Sequence, residues 1–142
     1  MPVSTRKPAA REVELARVLV VNDDLTSRLT LKTVLEAGGY AVDAVGSEAE
    51  ALGKLDQFQY DLVLSDSDMD APQAAQKVLA HARLMKYEPA TALFTTYRNR
   101  QHDAHRAVFI KPEELPDLLG KIADLISQRA ARLVQHQLTR HS

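Results

Sequence analysis

Four short apolar runs, Val18-Leu19-Val20-Val21, Leu62-Val63-Leu64, Ala92-Leu93-Phe94 and Val108-Phe109-Ile110, constrain this chain more than any other feature. Each is too short for a helix and lacks the polar alternation of a strand with one wet face, so each reads as a strand of a parallel sheet buried on both sides. Helix-like stretches separate them. In an open parallel sheet with helical crossovers, the carboxyl ends of the strands lie along one rim, and ligands bind where strand order reverses. The residues that follow the runs are Asp23 and Asp24, Asp66, Thr95 and Thr96, and Lys111. Acids, hydroxyls and an ammonium gathered on one rim suit a divalent cation and a phosphoryl group, because cation and lysine offset the repulsion between the anionic groups.

The remaining elements fall between the runs. Leu25 to Ala37 carries Leu25, Leu29 and Leu35 at helical spacing and is closed by Gly38-Gly39. Tyr40 to Val45 reads as a further strand. Ser47, with Glu50 three positions later, has the pattern of a capping box and opens a helix reaching about Gln57. Pro72 to Tyr87 suits another helix through Ala75, Val78, Leu79, Ala82 and Leu84. Only about ten residues, Tyr97 to Arg106, connect the last two runs, close to the minimum for a crossover, so any helix there is expected to be short or irregular. From Glu113 onward the longest helical pattern places Leu115, Leu118, Leu119, Ile122, Leu125, Ile126, Leu133 and Val134 on one broad face. These signals predict an α/β fold, a doubly wound five-stranded parallel sheet.

Composition narrows the class further. A chain of 142 residues with 45% hydrophobic content supports a single domain with a sizeable core. Eighteen Lys and Arg against 19 Asp and Glu give no field that would draw the chain to nucleic acid or an acidic membrane. Without cysteine there is neither a disulfide framework nor a thiolate metal site. No apolar run approaches the ~20 residues of a spanning helix, and a cytoplasmic location is expected. Residues 1–14 are expected to form a flexible tail, 15–128 the domain, and 129–142 a helical extension.

The order strand-helix, with acids after the first and third strands and Lys111-Pro112 after the fifth, resembles the receiver domain of bacterial two-component response regulators. The resemblance runs from about Arg17 to Ile126. It implies a flavodoxin-like sheet of order 2-1-3-4-5 and a phosphoryl group passed from a histidine kinase, or a phosphotransfer protein, to an aspartate ending the third strand. In "YDLVLSDSDM" that acceptor is Asp66. Keeping Arg28 in register in "VVNDDLTSR" places Asn22 on the first acid of the family's pair and Asp23 on the second. The resemblance further implies Mg²⁺ held by Asp23, Asp66 and a backbone carbonyl near Asp68, with Asn22 a weak ligand, Thr95 donating to the phosphoryl oxygens and Lys111 supplying fixed positive charge. Signalling would proceed by contact with a downstream protein, without turnover of a substrate and without direct contact to nucleic acid or membrane.

This sequence departs from the family's pattern in four places. Asn22 removes a charge from the cation site, "DMDAPQAA" replaces the usual segment after the third strand, Val108 stands at the aromatic switch position, and the crossover from Thr95 to Lys111 is short. Two other readings follow from the residues. One is a degenerate receiver that binds partners without phosphorylation. The other is a phosphohydrolase of the haloacid-dehalogenase type, whose first motif "LVLSDSDMD" is similar to, although such enzymes open with that motif and need a later acidic pair. Leu119, Ile122, Ile126 and Leu133 approximate a heptad seam interrupted by Arg129 and His136, from which a homodimer through the C-terminal helix is a further expectation.

Overall fold

The computed structural model describes residues 15–67, 69, 73–94, 108–110 and 117–140. Its strands are β1 (Arg17–Val21), β2 (Ala41–Val45), β3 (Leu62–Asp66), β4 (Ala90–Phe94) and β5 (Val108–Ile110), all paired in parallel in the order β2-β1-β3-β4-β5. Four helices accompany them among the described residues: α1 (Leu25–Ala37), α2 (Glu48–Gln57), α3 (Ala74–Arg83) and α4 (Leu118–Arg140). The fold is the α/β, flavodoxin-like one expected. The crossover between β4 and β5, with its expected short helix, and the tail at 1–14 lie outside the described residues.

The apolar runs are buried on both faces as their lack of alternation requires. On one face Val18, Val20, Leu62, Leu64, Ala92 and Phe94 pack against Leu31 and Leu35 of α1 and Leu118 and Ile122 of α4. On the other, Leu19, Val21, Val63 and Leu93 meet Ala51 and Leu55 of α2 and Val78, Leu79 and Ala82 of α3. Full burial of each such Val or Leu contributes about 1.5–3 kcal/mol, so the two clusters dominate stability. The chain winds from β1 outward to β2 and then back past β1 to β3. The reversal lies between β1 and β3.

Local signals act as their chemistry predicts, with differences. The Ser47 hydroxyl accepts from Glu50 N–H at 3.2 Å, but the Glu50 carboxylate reaches Gly46 N–H at 2.8 Å, one residue before the cap. Helix α1 has the predicted bounds and ends through Gly38 and Gly39, the latter at φ +98°, a conformation that costs glycine nothing. Leu25 and Leu29, expected on the packed face, are exposed, because Leu31 and Leu35 on the opposing side of the helix face the sheet. Helix α3 ends at Arg83, short of Tyr87, and Leu84 beyond it is 77% exposed. On α4 only Leu118 and Ile122 are fully buried, while Leu119 and Val134 are exposed.

Arg129, expected as a break in an apolar seam, is an anchor. Its guanidinium donates to Glu88 and Tyr87 carbonyls at 2.8 and 2.6 Å and to the Asp61 carboxylate at 2.8 Å. The helix is thereby fastened to the segments that lead into β3 and β4. It continues unbroken to Arg140, so the expected boundary at 128/129 falls inside one continuous helix.

Candidate functional site at the β1 and β3 carboxyl ends

Parallel pairing of Val21 with Ser65 brings the next residues, Asn22 and Asp66, side by side at the strand reversal. Alternation along the strands puts both on the α1 side of the sheet, in sequence with Val18, Val20, Leu62 and Leu64. Asp66, the last residue of β3, is 5% exposed, and it pairs in register with Phe94 of β4. The next backbone N–H, that of Ser67, donates to the Phe94 carbonyl at 2.9 Å and holds the turn out of the strand. Asp23 is half-buried at the start of the β1–α1 connection. Two acidic residues therefore stand at the reversal, one ending β3 and one in the connection that follows β1.

Asn22 is completely buried and held from three directions. Its N–H donates to the Val45 carbonyl at 3.0 Å, its carbonyl accepts from the Arg28 guanidinium at 2.9 Å, and its Oδ1 accepts from Asp24 N–H at 2.8 Å. Gly46 makes room for this arrangement, since a Cβ there would stand 2.7 Å from an Arg28 nitrogen. The Asp24 N–H also fixes which side-chain atom is which, because a reversed amide would oppose donor to donor. The Nδ2 group is left buried with no partner. An unsatisfied buried donor costs about 1–3 kcal/mol, so its retention at this position calls for a reason.

Among the described residues one other buried side-chain polar atom lacks a partner, the Ser67 hydroxyl. It belongs to the residue directly after Asp66. One orphaned atom thus belongs to the residue beside Asp66 in register and the other to the residue after it in sequence, whereas the rest of the described buried side-chain polar atoms are paired. Asp24, considered beside Asn22 as an acid of this region, points elsewhere: it is exposed and caps α1 by accepting from Ser27 N–H at 2.9 Å. That backbone bond, then the Ser27 hydroxyl, and Arg28 nearby hold its carboxyl below the ordinary carboxylate range.

Of the site residues expected from sequence, the structure brings Asn22, Asp23 and Asp66 to one rim. Thr95, Lys111 and the carbonyl at Asp68 lie outside the described residues. Among the described residues no cluster of three or more acidic or imidazole side chains could hold a metal ion, as the amide at position 22 leaves two carboxylates. Ser67, Arg28 and Gly46 were not singled out as site residues from sequence. A serine between two aspartates and a glycine at a strand end carry no signal of what they touch until β1, β2 and β3 are side by side.

A family model described as response regulator receiver domain matches residues 18–119. No curated protein matches the sequence. Among solved structures, the chain is similar to a CheY-like response regulator receiver domain protein from Methanospirillum hungatei JF-1, with 24% identity, 84% of this chain and 99% of that one covered, and a TM-score of 0.70. It is similar to response regulator protein TrrA from Thermotoga maritima in complex with Mg²⁺-BeF, at 29% identity over 78% of this chain and 99% of that one, TM-score 0.66. A third similar structure is a complex of histidine kinase ThkA with TrrA, at 28% identity, 78% and 98% covered, TM-score 0.65.

Proposed function

From the premise that the chain belongs to the response regulator receiver domain family, a family of signalling modules, we propose that Asp66 accepts a phosphoryl group from a histidine kinase or phosphotransfer protein and that the phosphorylated state is read by a downstream protein. The observation that carries this reading is the nearly buried carboxylate ending β3 at the strand reversal, one strand away from Asp23. In the transfer, an Asp66 carboxylate oxygen forms the new bond to phosphorus, and the bond from phosphorus to the donor imidazole nitrogen breaks, its electron pair returning to the ring. Protons and redox state are unchanged.

Aspartate is a weak nucleophile toward an anionic group, so charge must be offset. The donor set fits a divalent cation held by Asp23 and Asp66, with the carbonyl at Asp68 as a third oxygen by family resemblance. Mg²⁺ held there would offset the negative charge shared by the acceptor and the incoming phosphoryl group. The complex of TrrA with Mg²⁺-BeF supports that choice of ion, and the ThkA–TrrA complex supports a kinase as donor. Lys111 and Thr95 take their roles from the family motif: a fixed cation on the phosphoryl oxygens and a hydrogen-bond donor to them. Residues 15–128 form the receiver unit, and the extension 129–142, along which α4 runs to Arg140, offers a surface for a second copy of the chain.

A degenerate receiver that works by binding alone is the second reading, favoured by the neutral side chain at position 22. Incubation with acetyl phosphate and Mg²⁺ followed by intact mass measurement separates the two. A gain of one phosphoryl group that Asp66→Asn abolishes is the expected result. No gain favours the degenerate receiver, and sustained turnover of phosphate esters instead of a stable adduct favours the phosphohydrolase.

A further inference from the structure

We infer that Asn22 is an anion-binding group of the Asp66 site rather than a cation ligand: its buried Nδ2 donates a hydrogen bond to an oxyanion carried by Asp66. The inference rests on the proposed phosphorylation of Asp66 and adds to it the role of a residue that the family's acidic pattern would make a carboxylate.

Three observations carry it. The side chain is completely buried, and its acceptor atom is already engaged by Asp24 N–H, so the group left to face a ligand is an amide with two hydrogens to donate. A cation is repelled by such hydrogens, and an anion is attracted. The backbone of Asn22 is fixed by Val45 and Arg28, which makes the amide preorganised, and a preorganised donor in a water-poor site loses little entropy on binding. Finally, the register places Asn22 beside Asp66, and the Ser67 hydroxyl, the other unpartnered buried polar atom among the described residues, follows Asp66 directly. The unsatisfied amide of the residue in register beside one buried carboxylate therefore lacks a partner that carries oxygens.

The consequence is a redistribution of charge. An acid at position 22 adds attraction for Mg²⁺ and repulsion toward the phosphoryl group, and the amide removes both. This site therefore binds its cation weakly before phosphorylation and holds the phosphoryl group through a neutral donor after it. Asn22→Asp keeps the acceptor for Asp24 N–H while exchanging the donor for a charge, and it isolates the effect.

With acetyl phosphate as the probe, the Asp66 oxygen bonds to phosphorus, and acetate leaves with the electrons of the broken phosphorus–oxygen bond. The test follows the Asn22 side-chain amide by ¹H–¹⁵N NMR while intact mass reports phosphorylation. The expected result is a shift of both amide hydrogens and slowed solvent exchange in step with the mass gain. In parallel, calorimetric titration with Mg²⁺ alone is expected to show Asn22→Asp binding about tenfold more tightly than the unmodified chain, and Asn22→Ala binding within about twofold of it.

Phosphorylation at Asp66 with unmoved Asn22 amide signals overturns the inference and leaves the proposed function standing, as does weakened Mg²⁺ binding in Asn22→Ala, which would make the amide oxygen a ligand. Absence of any mass gain overturns the proposed function, and this inference falls with it. The NMR arm uses the unsubstituted chain, so it decides the matter even where a variant fails to fold.

Discussion

The two rims of the sheet are built on opposite principles. At the amino rim, the polar side chains form a paired network: Arg17 donates to Asp43 at 3.2 Å and lies over the Phe58 and Tyr60 rings, Tyr60 donates to Asp43 at 2.6 Å, and Asp61 joins Arg17 N–H to Arg129. At the carboxyl rim, the buried amide of Asn22, in register beside Asp66, and the buried hydroxyl of Ser67, the residue that follows Asp66 at the end of β3, have no partners. Both rims cap the same strands, so strand packing does not explain the difference. The paired rim stabilises the fold and fastens α4. The other forgoes part of that stability to keep polar groups available to a ligand, as preorganised sites do.

The comparison is broken most severely by substituting Arg129. Arg129→Ala removes three hydrogen bonds from a side chain that is 13% exposed and leaves Asp61 with one fewer partner. The expected loss is about 2–3 kcal/mol in denaturant unfolding. Phosphorylation of Asp66 by acetyl phosphate, measured well below the transition, should be unchanged. A loss of phosphorylation in the folded variant would show that the rims are coupled, contrary to the division drawn above.

Tyr60→Phe sharpens the same comparison with a smaller effect, about 1 kcal/mol, since one hydrogen bond is lost and the ring remains packed. Its phenol also sets an alkaline limit. Burial, and then the Asp43 acceptor, push the Tyr60 hydroxyl above its ordinary value of 10.0, and burial raises Tyr87 in the same direction. The unfolded chain thus releases these protons first as pH rises. The stability they confer is complete below about pH 10 and declines above it, and unfolding midpoints across that range should decline less steeply in Tyr60→Phe.

The smallest effect concerns Asp24. Its carboxyl is held below the ordinary value of 3.8, so the stability it adds is present above that value and is lost as pH falls through the folded one. Asp24→Asn retains an α1 cap and should flatten that acid limb in thermal melts, while leaving Mg²⁺ titration unaffected. A change in Mg²⁺ affinity would bring Asp24 into the cation site.

The strands and their shared rim were legible because uninterrupted apolar runs have one economical explanation, and Asp66 followed from its place after the third. Which leucines of α1 reach the core was not. Leu25 and Leu29 form one stripe and Leu31 and Leu35 another, and only the angle at which the helix docks chooses between them. Arg129 was misread because a heptad pattern treats any charge as an interruption, while its three acceptors come from Asp61, Tyr87 and Glu88, more than forty residues away in the chain. At Asn22 the residue type revealed the missing charge but not the direction of the amide, which is set by Asp24 N–H.

The most direct test traps the acyl phosphate chemically. After reaction with acetyl phosphate and Mg²⁺, borohydride converts a phosphorylated aspartate to homoserine, which peptide mass spectrometry locates. The account predicts conversion at Asp66 alone. Conversion at Asp23, Asp24 or another acid with Asp66 intact would contradict it.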